Sequence, residues 1–144
     1  MTEDSRDTER AMSQENVELI RRAIEAWNRA DIDGWLDQAT PDFVWIPAGP
    51  AAVERSVYRG RDEVREAMAG GWETWQEFRF EESEIRSLGE SVVWLGRVHA
   101  TGRASEVELD QEFAIHAVVR DGKLARTEGF LSRAEALEAA GLSE

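Results

Sequence analysis

Arg97, Val98 and His99 place a cation and an imidazole two residues apart in a segment that reads as a strand, so both side chains leave the same face. Histidine moves protons near neutral pH, and arginine holds developing negative charge. The pair therefore predicts acid–base chemistry on a small molecule without a cofactor: His99 transfers the proton and Arg97 holds a carbonyl or carboxylate oxygen. His116 alternates to the face opposite Ile115 and is expected outside any pocket, beside Glu112, Arg126 and Glu128. Two histidines on different faces, without HxxxH or HExxH spacing, predict no metal site.

Aromatic residues supply the second signal. Trp27, Trp35, Trp45, Trp72, Trp75 and Trp94 are six tryptophans in 144 residues, all before the last third of the chain. Each offers a large apolar surface and one N–H donor. Trp27, Trp45, Trp72 and Trp75 are expected to wall a pocket for a small, mostly apolar molecule. Trp35 is expected to staple a short second helix to the core, and Trp94, opposite Arg97, to meet a second subunit. Tyr58 is placed at the pocket entrance. Gln111, Phe113 and Ile115 are placed on the concave face of a sheet, where Gln111 offers a neutral polar contact.

The totals bound the partners. One domain fits the length, and 42% hydrophobic with 33% charged residues is ordinary for a globular chain. A formal charge of −13 repels phosphate backbones and anionic lipid, so neither nucleic acid nor membrane is an expected partner. There is no cysteine, hence no disulfide and no thiol nucleophile. The first residues, MTEDSRDTERAM, lack an apolar leader core, and the chain reads as cytoplasmic.

Elements follow from periodicity. Residues 1–12 are polar and aperiodic and read as a disordered tail; a single domain covers 13–144. Ser13 caps a first helix whose apolar stripe is Val17, Ile20, Ile24 and Trp27. Asp31 caps a second, short helix with Ile32, Trp35 and Leu36, and Phe43 to Pro47 is a strand. Residues 48–59 are a loop. A third helix after Gly60 carries Val64, Ala67, Met68, Gly71, Trp72 and Trp75, weakened by Gly70 and Gly71. Strands follow at Phe78–Leu88, Ser91–Thr101, Val107–Val119 and Leu124–Leu131, the last two joined by the hairpin signal Asp121-Gly122. Ser132 and Glu135 form a capping box for a final helix ending at Gly141. On the third of these strands Phe113, Ile115, Ala117 and Val119 share a face, joined by Ala125, Thr127, Gly129 and Leu131. Helices first and strands after give an α+β fold, helices packed on a curved antiparallel sheet.

This layout resembles the NTF2-like superfamily, and within it the SnoaL-like and ketosteroid-isomerase-like proteins. The matching residues are Ser13-Gln14-Glu15-Asn16-Val17, Ala26-Trp27-Asn28-Arg29-Ala30-Asp31, Pro41-Asp42-Phe43-Val44-Trp45, Tyr58-Arg59-Gly60-Arg61 and Arg120-Asp121-Gly122-Lys123. The resemblance covers roughly residues 13–141 and implies a cone that takes a ligand at its open end and a homodimer through the convex sheet face. The isomerase's shuttle carboxylate falls on Ile46, its tyrosine on Ala23 and its protonated acid on Ile115, all apolar here, which argues against steroid isomerisation. Of the arginine and two aspartates of the epoxide-hydrolase branch, only Arg97 survives; the aspartates fall on His99 and Gly129. Three readings stay open: a cofactor-free isomerase, cyclase or hydrolase with a non-standard site, a non-catalytic ligand binder, and an interaction domain whose cone is filled by its own side chains.

Overall fold

The computed structural model describes residues 2–49, 57–104 and 106–143, with side chains from Ser13 onward; most of the loop read at 48–59 lies outside them. The elements are α1 (Thr2–Asn28), α2 (Ile32–Asp37), β1 (Ala39–Ile46), β2 (Tyr58–Arg59), α3 (Arg61–Thr74), β3 (Trp75–Leu88), β4 (Ser91–Gly102), β5 (Glu108–Arg120), β6 (Lys123–Phe130) and α4 (Arg133–Ala139). The first helix thus begins eleven residues ahead of its expected start, and Ser13 is interior to it rather than its cap.

Six strands form one curved, unclosed sheet in the order β2-β1-β6-β5-β4-β3. All neighbours are antiparallel except β1 and β6, which run parallel because the chain crosses from one to the other through α3 and the β3–β5 meander. The face toward α1 carries the main core: Leu19, Ile20, Ala23 and Trp27 of the helix meet Phe80, Trp94, Val98, Phe113 and Ile115 of the sheet. The other face is covered at one end by α4, whose Ala136 and Leu137 pack on Val93, Leu95 and Ala114.

Local chemistry explains several joints. Asp31 accepts a hydrogen bond from Gly34 N at 2.9 Å and caps α2. Asp121 and Gly122 both take positive φ, as a two-residue primed turn requires. Ser132 accepts from Glu135 N at the start of α4. Asn28 donates to Phe80 O at 3.0 Å and accepts from Phe80 N at 2.8 Å, so the end of α1 is stitched to β3 as a strand neighbour would be. Among the described residues, no helix is long and apolar enough to cross a membrane.

Two assignments shift. The third helix ends at Thr74, and Trp75, with φ −110 and ψ 135, opens β3 instead of closing the helix. In β6 the register skips between Val118–Arg126 and Val119–Leu124, leaving Ala125 as the extra residue of a bulge. Leu124, fully buried, therefore takes the core position expected of Ala125.

Candidate ligand cavity

A narrow apolar cavity of about 30 Å³ lies between α1 and the sheet. Ile20, Ala23, Ile24 and Trp27 come from α1, Trp35 from α2, and Trp45 and Pro47 from β1 and its end. Phe80, Phe113, Ile115, Leu124, Thr127 and Gly129 complete the wall from the sheet. The expected wall residues Trp27, Trp45, Phe113 and Ile115 are all present. Trp35 joins them, although its place on a short helix read as simple stapling.

Trp27 is the hub. Its ring lies 4.7 Å from Trp72, 5.2 Å from Phe78, 5.4 Å from Phe80, 6.1 Å from Trp45 and 6.5 Å from Trp35, centroid to centroid, all tilted or edge-on. Trp72 and Trp75 are not on the inner wall. They line a second small void beneath α3, bounded on its inner side by Trp27 and Trp45. Tyr58 lies in β2 rather than a loop, paired with Trp45 across the sheet edge and 5.4 Å from it ring to ring. Gln111 is outside the wall as well: its amide packs beneath Gly49, where an added Cβ would sit 2.8 Å from Nε2.

Two polar atoms of the wall residues are buried with no hydrogen-bond partner, Trp27 Nε1 and Thr127 Oγ1. Each such group costs about 1–3 kcal/mol when left unpaired. Among the described residues, the wall includes no Asp, Glu, His, Lys, Arg or Tyr.

Arg97 and His99 are not at this cavity. In the β4–β5 register Trp94 pairs with Ile115, Gly96 with Phe113 and Val98 with Gln111, and these face α1. Arg97 pairs with Glu112 and His99 with Asp110, so both face the opposite side of the sheet. There Arg97 Nε donates to Asp110 at 2.7 Å, and that bond holds the Asp110 carboxyl below the usual carboxylate range. His99 lies between Glu81 at 3.1 Å and Asp110 at 3.6 Å. The expectation that these two residues form the catalytic pair inside the cone is therefore corrected, as is the outward placement of Trp94. The indole of Trp94 is fully buried, edge-on to Phe80 at 5.6 Å. The cause is that apolar residues occupy both faces of β4 at Val92–Leu95, one under α1 and one under α4, so alternation alone does not reveal which face is inner.

His116 occupies the outer face as expected, with Nε2 3.0 Å from Ser91 Oγ. Burial, assisted by Arg126 and opposed by Glu128, holds its pKa below the ordinary histidine value of 6.5. The unfolded chain therefore takes up a proton that the folded one refuses. Stability is fully present above pH 6.5 and declines as pH falls through that value toward the lower folded pKa. Urea midpoints measured between about pH 7.5 and pH 5.5 should fall for the native chain. They should fall less for His116→Gln; equal slopes would remove His116 as the cause.

A family model described as the SnoaL-like domain matches residues 20–127. The chain belongs to the SnoaL-like family. Its fold is similar to an NTF2-like protein of unknown function from Burkholderia pseudomallei, at 24% identity and a TM-score of 0.73 over 88% of this chain and 97% of that one. TerC co-crystallised with polyporic acid is similar at 23% identity and TM-score 0.72, covering 88% and 97%. A protein with a ketosteroid isomerase-like fold from Catenulispora acidiphila, in complex with trimethylamine, is similar at 12% identity and TM-score 0.69, covering 87% and 93%. No curated protein matches the chain. In this SnoaL-like domain Ala23 and Ile115, two positions where an isomerase would carry polar groups, do lie on the cavity wall. The third, Ile46, sits beside Glu128 in the β1–β6 register, one residue off the wall residue Trp45. Gly129 is also on the wall, where a Cβ would meet the Phe113 ring at 2.8 Å, so no longer side chain fits there as it stands.

Proposed function

We propose that this SnoaL-like domain binds a small, mostly apolar molecule bearing a hydroxyl or carbonyl oxygen, and that it is a binder rather than an acid–base catalyst. The observation that carries the reading is the pair of unpartnered polar atoms, Trp27 Nε1 and Thr127 Oγ1, among the residues of an otherwise apolar wall. A ligand oxygen accepting from the indole and exchanging a hydrogen bond with the hydroxyl would relieve both. Acid–base catalysis needs a group that carries a proton. The wall offers none, and His99 and Arg97 are on the far side of the sheet. TerC, whose fold is similar, was co-crystallised with polyporic acid, which supports a cone that accepts a small molecule.

Ligand-sized sites run to about 300–1,000 Å³, so the cavity must widen on binding. The last turn of α3 is suited to that movement: Gly70 and Gly71 weaken it, and an added Cβ at either would meet nothing within 4 Å. The small volume favours a second reading, a domain whose cone is filled by its own aromatic rings.

Thr127→Val separates the two. Replacing an unpaired buried hydroxyl by a methyl group should raise stability by about 1 kcal/mol and the melting temperature by about 2–4 °C under either reading. Under the binding reading the native chain should also prefer acetonaphthone over the near-isosteric ethylnaphthalene by about tenfold, a preference that Thr127→Val abolishes. If neither compound binds, the cone is filled and the binding reading fails.

A further inference from the structure

Three voids are strung along Trp27 from the core to the surface. The inner cavity and the void beneath α3 share Trp27 and Trp45. That void and a surface cleft of about 230 Å³ share Trp27, Trp72, Trp75 and Phe78. Asn28, Gln76, Glu77, Arg79 and Arg103 form the polar part of the cleft. A way outward along this series passes between tryptophan rings and emerges beside two arginines.

The two arginines are not equivalent. Arg79 is engaged by carboxylates, 3.5 Å from Glu77 and 3.9 Å from Glu81. Arg103 has no carboxylate partner among the described residues. Its backbone N donates to Thr74 O at 3.1 Å, and Nη2 donates to Trp75 O at 3.2 Å. Both anchors lie at the joint where α3 passes into β3, so the guanidinium is held at the rim of the aromatic passage. A guanidinium carries five N–H donors, and one is used here. Among the described residues lining the cleft, Arg103 is thus the charged group without a partner of opposite charge, on a chain whose net charge is −13.

The geometry points to Arg103 as the anion-recognising group of the ligand site. The ligand is then an aromatic or polycyclic molecule with a carboxylate, sulfonate or acidic enol at one end, its ring body threaded between Trp72, Trp75 and Phe78 toward Trp27. This rests on the binding reading given above and adds the ligand's charge and its direction of entry. A guanidinium matches a two-oxygen anion with paired, charge-assisted hydrogen bonds, which a neutral ligand cannot use.

The test uses two dyes that share an anilinonaphthalene body and brighten in apolar surroundings: anilinonaphthalene sulfonate and the uncharged phenylnaphthylamine. Each is titrated into the native chain and into Arg103→Gln, which removes the charge at an exposed residue and keeps a polar side chain. The sulfonate should bind the native chain more tightly than the neutral dye, and more weakly as salt is added. Arg103→Gln should weaken the sulfonate by about tenfold and the neutral dye by less than about twofold. If both dyes bind but Arg103→Gln changes neither, or weakens both alike, the anion site is overturned and the apolar pocket stands. If neither dye binds the native chain, the pocket itself is overturned.

Discussion

Trp27→Ala should cost about 3–5 kcal/mol of folding stability, the range for deleting a buried large aromatic side chain. The ring is 5% exposed and is within 6.5 Å of five others, Trp35, Trp45, Trp72, Phe78 and Phe80. The five also meet other rings, such as Trp35 with Phe43 at 4.9 Å and Phe80 with Phe113 at 5.3 Å, and Trp27 is the ring they share. Truncation removes the tilted and edge-to-face contacts with them, worth about 0.5–1.5 kcal/mol each beyond area, and leaves a hole the rigid sheet closes poorly. The unpaired indole N–H is lost in the same change, which returns a fraction of the cost. Urea unfolding followed by far-ultraviolet circular dichroism, which does not depend on the removed fluorophore, measures the difference. A loss below about 1 kcal/mol would mean that the ring cluster relaxes freely, against the close packing described. Because Trp27 borders the inner cavity, the void beneath α3 and the surface cleft, its removal should also join them, and phenylnaphthylamine should enter the variant faster than the native chain.

Gly96→Ala should be at least as damaging, for a different reason. A Cβ at Gly96 would lie 2.0 Å from Glu81 O, 3.0 Å from Glu81 C and 2.8 Å from the Trp94 ring. The first two are backbone atoms of the neighbouring strand, so no side-chain rotation relieves the overlap, and β3 must move away from β4. The register between these strands already shifts just past the Glu82–Gly96 pair, where β3 bends across β4. The glycine permits that close approach. Overpacking that displaces backbone costs about 3 kcal/mol or more, and the variant is expected to be recovered poorly or to melt well below the native chain. Gly70→Ala is the matched control. Nothing lies within 4 Å of its added Cβ, and a helix-interior Gly-to-Ala change should stabilise by up to about 1 kcal/mol. If the two variants melt alike, steric crowding at Gly96 is not the cause.

Much of the architecture was legible because local chemistry and periodicity agreed. Asp31, Ser132 and the Asp121-Gly122 pair sit at the cap and turn positions their side chains and φ preferences dictate. The inner set on β5, from Phe113 to Val119, and Thr127 and Gly129 on β6 follow from alternation, since the opposite faces there carry polar residues such as Glu112, His116 and Glu128. The resemblance to the SnoaL-like family rests on the same order of elements, and it held. Alternation failed where its contrast failed. Val92–Leu95 is apolar on both faces, one for each layer that covers it, so only the pairing of Trp94 with Ile115 and of Arg97 with Glu112 orients the strand. A one-residue error there moved His99 and Arg97 from the solvent side into the cone.

The sequence by itself determined the fold family, the caps of α2 and α4, the β5–β6 turn and the aromatic character of the cavity, because these depend on side-chain type and short-range spacing. Tertiary structure alone decided which way β4 faces, that the bulge at Ala125 brings Leu124 inward, that Trp72 and Trp75 flank the route rather than the inner wall, and how little space the rings leave around Trp27. Those outcomes depend on strand register and on how side chains far apart in the chain fill one volume. Neither quantity is carried by any residue or short motif on its own.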